Sequence, residues 1–169
     1  MADIFISFIH EEENLAKAVQ HYLWEEFRQL SVPWSIFLSA DPSQLLPGQD
    51  WLERINQELK TATVVMLMLS QASVKRPWVN FEAGAAWLDG RKHIIPVCYG
   101  GILKDQLPTP YAAMRLQGVQ LPEDLSSLVW AVSTHLGMRF LPPPHMSQEN
   151  PGFRQLQEEL KRIEDLPPA

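Results

Sequence analysis

The sequence predicts an α/β domain built on a mostly parallel sheet with helices on both faces. Three observations support this. Short apolar runs alternate with segments of helical periodicity along the chain, the pattern of repeated strand–helix–strand units. The runs at 4–8 and 64–69 are apolar without alternation, as in strands covered on both faces. The composition, 46% hydrophobic and 20% charged over 169 residues, suits one domain with a substantial core.

The elements follow in order. Ile4 to Phe8 reads as the first strand. A helix follows from about Glu11, with Leu15, Ala18, Val19, Tyr22 and Leu23 at helical spacing and acids at its start, where the helix dipole favours them. Trp34 to Leu38 is the second strand. Pro42, Pro47 and Gly48 make the next segment a loop, longer than the usual ~2–6 residues of such connections and therefore a candidate for function. Asp50 caps a helix whose one face is Trp51, Ile55 and Leu59. Ala62 to Leu69 is the central strand. Pro77 opens the third helix and Gly90 closes it. His93 to Tyr99 is a strand, with Pro96 marking an edge or a bend. Arg115 to Val119 is a fifth strand, and Leu121 to Leu136 a helix. The prolines after Leu141 break the pattern. The division expected is a domain over 1–141, then a proline-rich linker and C-terminal helix over 142–169, where Phe153, Leu156, Leu160 and Ile163 share one face.

Several function classes are disfavoured. A net charge of −6 lacks the basic stripe of a nucleic-acid protein. Cys98 is the single cysteine. It allows no internal disulfide or Cys-based metal site and reads as a buried small hydrophobe. The five histidines are scattered, so no metal site is expected. There is no G-x-G-x-x-G, no phosphate-binding P-loop and no G-x-S-x-G elbow. An acidic start and the absence of a long apolar span point to a cytoplasmic protein without a membrane segment.

In such sheets ligands bind beyond the carboxyl ends of the strands. The segment from Pro77 to Trp87 places Glu82 among apolar neighbours, with Trp78 one turn earlier on the same helical face. A carboxylate beside an indole resembles a sugar-chemistry site, since apolar surroundings raise a carboxyl's pKa and an aromatic face can stack a flat leaving group. The simpler reading is a surface acid near a helix N-terminus, and the residues alone leave both open.

Three segments carry a resemblance. The chain is similar to Toll/interleukin-1 receptor (TIR) domains of the bacterial, NAD+-cleaving type: DIFISF at 3–8, LPGQDW at 46–51, and VVMLMLSQASVKRPWVNFE at 64–82 match the family's motifs in order, over roughly residues 1–140. The resemblance implies a flavodoxin-like three-layer sandwich with a five-stranded parallel sheet, here with a C-terminal helical extension. It implies cleavage of the nicotinamide–ribose bond of NAD+, giving nicotinamide and ADP-ribose or cyclic ADP-ribose. NAD+ is then the substrate and no cofactor is needed. Glu82 is the implied catalytic residue. Trp78 would stack on the ligand, Phe8, Ile9 and the loop with Asp41, Leu46, Pro47 and Gly48 would wall the pocket, and Ser70 and Ser73 would offer hydroxyls.

In one respect the chain departs from this pattern. Catalytic relatives often carry basic residues after the first strand or in the second-motif loop. Here His10-Glu11-Glu12-Glu13 follows the strand, and no Lys or Arg lies between Ser39 and Asp50. Lys75 and Arg76, with backbone N–H groups, are left to meet a diphosphate. The resemblance also implies self-association through TIR–TIR contacts, an anti-phage role, and a fused or separate sensor module. The alternative is a non-catalytic TIR interaction module. A related nucleoside deoxyribosyltransferase is a third reading, disfavoured by LPGQDW after the second strand.

Overall fold

The computed structural model describes residues 1–39, 50–138 and 149–167. Its five strands, β1 (Ile4–Ser7), β2 (Ile36–Ser39), β3 (Val64–Leu69), β4 (His93–Cys98) and β5 (Val119–Gln120), form one all-parallel sheet in the order β2-β1-β3-β4-β5. Five α-helices are described: α1 (Glu13–Gln29), α2 (Trp51–Thr61), α3 (Pro77–Asp89), α4 (Leu125–His135) and α5 (Phe153–Glu164). This is the three-layer sandwich expected from the sequence, with its C-terminal helix.

Strand alternation divides the core in two. Ile4 and Ile6 of β1, with Met66 and Met68 of β3, pack under α1, α4 and α5. Phe5 of β1, with Val65 and Leu67 of β3, packs under α2 and α3. The chain leaves β1 for β2 on one side and returns to β3 on the other, so the strand order reverses at β1/β3, where such sheets open a crevice at their carboxyl ends.

Several boundaries differ from expectation. A 3-10 turn over His10–Glu12 precedes α1, and Phe8 lies beyond β1. β2 runs to Ser39. Residues 115–118 are not strand: Arg115 has φ 54°, and pairing begins only at Val119. α4 begins at Leu125, four residues later than the apolar pattern suggests, with Asp124 at its cap position. Pro96 lies inside β4, neither at the sheet's edge strand nor ending the strand. It is tolerated because β5 pairs only with Val97 and Cys98, so at Pro96 the outer side of β4 has no ladder to interrupt.

The C-terminal helix packs on α1. Leu156 and Leu160 are buried in the α1-side core. Just before it, Asn150 is buried. Its Nδ2 donates to Tyr22 O (3.0 Å) and Glu26 Oε1 (2.8 Å), while its Oδ1 accepts from Gly152 N (2.8 Å). The expected linker over 142–148 lies outside the described residues. Because α5 shares the core, Leu160→Ala is expected to cost about 2–5 kcal/mol. Chemical denaturation followed by circular dichroism should show one transition at a lower midpoint, and an unchanged midpoint would mean α5 contributes nothing to the domain.

Candidate functional site

Pro77 takes the first position of α3, where a missing N–H costs nothing, and Gly90 ends the helix at φ 69°. Between them Val79, Glu82, Ala83 and Ala86 form the buried face. Glu82 therefore points inward with the core residues, and its exposure is 0%. The simpler reading of Glu82 as a surface acid does not hold. A buried carboxylate is costly unless hydrogen-bonded.

The donors come from the ends of two strands. Ser7 Oγ donates to Glu82 Oε1 (2.8 Å), and Ser39 Oγ donates to Glu82 Oε2 (2.6 Å). Register makes this possible. Ser7 and Ser39 are partners in the β1/β2 ladder. Each lies two residues after a phenylalanine, Phe5 and Phe37, whose rings meet 5.5 Å apart on the α2/α3 side. Side chains two apart on a strand share a face, so both hydroxyls are delivered to the same face as α3. Glu82, Ser7 and Ser39 thus meet at the carboxyl ends of β1 and β2. Two buried indole N–H groups, Trp51 Nε1 and Trp78 Nε1, have no acceptor among the described residues.

A family profile described as "TIR domain" matches residues 4–129, most of the chain. The chain belongs to the TIR domain family. Among solved structures it is similar to a metazoan TIR-STING receptor from C. gigas in complex with 2',3'-cGAMP (TM-score 0.58, 21% identity, 79% of this chain and 40% of that one). It is also similar to the TIR domain of the Toll-related receptor TRR-2 from Hydra magnipapillata (TM-score 0.50, 16% identity, 77% of this chain and 93% of that one). At these identities the likeness is one of fold, and the TIR-STING receptor is a much longer chain. Among the curated proteins, none matches.

In this TIR domain the residues singled out from sequence do not form one cluster. Trp78 lies one turn before Glu82 and stacks on Phe81, with ring centroids 5.4 Å apart. Ile9 is buried on the Glu82 side of the sheet, whereas Phe8 is buried on the α1 side. Ser70 and Ser73 are engaged elsewhere. Ser73 Oγ donates to Met68 O (2.8 Å) and accepts from Ser70 N (2.8 Å), and Ser70 Oγ donates to Glu12 Oε1 (2.8 Å). Lys75 is exposed. Arg76 pairs with Glu11 at 2.5 Å. Asp41, Leu46, Pro47 and Gly48 lie outside the described residues.

Sequence reasoning missed Ser7 and Ser39. Their signal is present as two near-identical strands, Ile-Phe-Ile-Ser at 4–7 and Ile-Phe-Leu-Ser at 36–39, each ending in a hydroxyl. Glu12 was missed as well. It sits in a run of acids that reads as solvated, yet it is 5% exposed and accepts from both Ser70 Oγ and Tyr99 Oη (3.0 Å). Burial raises the Glu12 pKa above its ordinary 4.5 despite those two donors. Burial also pushes the Cys98 thiol up to about 12, which makes it a poor nucleophile.

The Glu12 shift has a consequence for stability. An acid whose folded-state pKa is raised binds more protons folded than unfolded, so its burial is penalised as pH rises from about 4.5 through the raised value. Glu12→Gln keeps an acceptor for Ser70 and Tyr99 and removes the ionisation. It should melt above wild type at pH 8 and no higher at pH 4, each kcal/mol of relief being worth about 2–4 °C. Equal melting curves at both pH values would show that ionised Glu12 is not penalised.

Proposed function

We propose that this TIR domain cleaves the nicotinamide–ribose bond of NAD+, with Glu82 as the catalytic carboxylate. The observation that carries the reading is the burial of Glu82 at the sheet's carboxyl edge, aimed and held by two strand-end hydroxyls. In the reaction the C1'–N bond breaks and its electron pair stays on the pyridine nitrogen, so nicotinamide leaves neutral and needs no proton. Positive charge develops on the ribose carbon, as in glycoside cleavage. A fixed carboxylate stabilises that charge or holds the ribose hydroxyls. Water then adds to C1' and loses a proton, giving ADP-ribose. Attack by an adenine nitrogen gives the cyclic isomer instead.

Ser7 and Ser39 position Glu82 in this scheme, and a carboxylate oxygen that accepts from one serine can accept a second hydrogen bond. The buried N–H of Trp78, without an acceptor among the described residues, is a donor the ligand could meet once the walls part. Glu82 is shut from solvent, so NAD+ reaches it only when the surrounding walls part. That fits activation by TIR–TIR assembly. α3 also presents Phe81 (55% exposed) and Leu88 (78%) on its outer surface, as self-association would use. A bacterial anti-phage role with a sensor module is the biological setting we favour.

Full burial also favours a second reading, a non-catalytic interaction module in which the Glu82 cluster only ties α3 to the sheet. One comparison separates the two. Glu82→Ala would strand two buried hydroxyls, so the suitable variant is Glu82→Gln, which matches the carboxylate in shape. Wild type at high protein concentration is expected to consume NAD+, with the products resolved by chromatography. Glu82→Gln should lose about 10²–10³-fold of the rate with its circular dichroism spectrum unchanged. Equal turnover in both proteins would remove Glu82 from the mechanism, and no turnover in assembled wild type would favour the interaction module.

A further inference from the structure

Glu12 opens onto a second cleft, which lies on the α1/α5 face of the sheet and not on the Glu82 face. Its volume is about 370 Å³, within the ~300–1,000 Å³ usual for small-molecule sites. The floor is the carboxyl end of β3 and β4, with Ser70, Gly100 and Gly101; the far wall is the end of α5 and the short segment after it, with Ile163, Leu166 and Pro167. The two glycines keep this space open. Gly100 and Gly101 have φ 54° and 89°. A Cβ on Gly101 would lie 2.5 Å from Gln71 Nε2, and one on Gly100 would lie 3.2 Å from Ile163 Cγ2.

Glu12 stands at the N-cap position of α1 but makes no capping hydrogen bond. Its carboxyl instead turns inward. Both hydroxyl donors, from Ser70 and Tyr99, go to Oε1. Oε2 takes no hydrogen bond among the described residues; the residue is 5% exposed and lines the cleft, where this oxygen stays open to solvent. Glu164 adds a second acid on the α5 wall, and Lys75 is the lone cation among the lining residues. Arg76, whose charge also acts on Glu12, is paired with Glu11 at 2.5 Å and is not among the lining residues.

A largely buried carboxyl with one oxygen open to the cleft, a second acid opposite it and an aliphatic wall describe one ligand chemistry. We propose that this cleft binds a small organic cation, its primary ammonium on Glu12 Oε2 and its apolar body against Ile163, Leu166 and Pro167. The ammonium would take the place of water on that oxygen and pair a charge that burial disfavours. An anion would meet Glu12 and Glu164 with only Lys75 in compensation. The site does not rest on the NAD+ reading: it uses none of the groups around Glu82 and shares with the sequence-based NAD+ assignment only Ser70 and Lys75.

The test is an NMR titration of the folded chain with phenethylammonium, using phenethyl alcohol and 3-phenylpropionate as controls of matched shape. Saturable amide shifts at Ser70, Gly100 and Gly101 are expected with the amine and not with either control. Glu12→Gln should weaken that binding at least about tenfold, as for loss of one charge-assisted hydrogen bond. Glu164→Lys, a change at an exposed residue, should weaken it while leaving the fold untouched. Absence of saturable shifts in wild type would overturn the site. So would equal amine affinity in wild type and Glu12→Gln, or equal binding of the alcohol; Glu12 would then be a purely structural acid tying α1 to β3 and β4.

Discussion

One desolvated carboxylate, Glu82, constrains the geometry around it. An ionised group in the interior is tolerated only with hydrogen bonds at good distance, and Glu82 takes them from Ser7 and Ser39. Those serines reach it only if β1 and β2 are parallel neighbours in the observed register. A slip of one residue between them would put the two hydroxyls on opposite faces. The turn of α3 that carries Glu82 must also lie over the β1/β2 end of the sheet, which the small residues Ala83 and Ala86 allow by letting the helix pack closely. Register, helix placement and the buried acid therefore specify one another.

The carboxyl edge carries a second buried acid on the other face, and the contrast between the two is informative. Glu82 has one hydroxyl for each oxygen. Glu12 has both hydroxyls on one oxygen. The first arrangement fixes a carboxylate in orientation and closes it off. The second leaves an acceptor facing a cleft. The same chemistry, serine or tyrosine hydroxyl to buried glutamate, thus yields a closed site on the α2/α3 face and an open one on the α1/α5 face.

Much of this is legible in the sequence because it rests on local pattern. Alternating apolar runs and helical periodicity point to all five strands, the parallel sheet and the helix boundaries to within a few residues, and the motifs point to Glu82 and Trp78. What escapes such a reading depends on side chains brought together from far apart. Glu12, Ser70 and Tyr99 are separated by up to 87 residues, and no spacing rule joins them. β5 lies later than its expected position because two residues of pairing leave almost no periodic signal. Pro96 marks neither an edge nor a bend because its tolerance depends on where its neighbour strand begins, a tertiary fact. Glu82 reads as either surface or buried since a lone acid on an apolar helix suits both until its face is known.

The acidic run after β1 looks, as sequence, like an obstacle to any diphosphate near this edge. The structure largely dissolves it. Glu11 is paired with Arg76 at 2.5 Å, and Glu13 with Lys17 at 2.9 Å, while Glu12 is buried with its pKa raised. Exposed pairs of this kind add little to stability, but they cancel charge where it counts. The same pairing engages Arg76, which the sequence offers as a phosphate ligand, and leaves Lys75 as the exposed cation beside it. For the proposed reaction, phosphate binding then falls chiefly to backbone N–H groups and to whatever a second TIR domain brings. On the proposed reading, that requirement and a glutamate shut from solvent would make assembly a chemical condition for NAD+ cleavage and not merely a means of concentrating the protein.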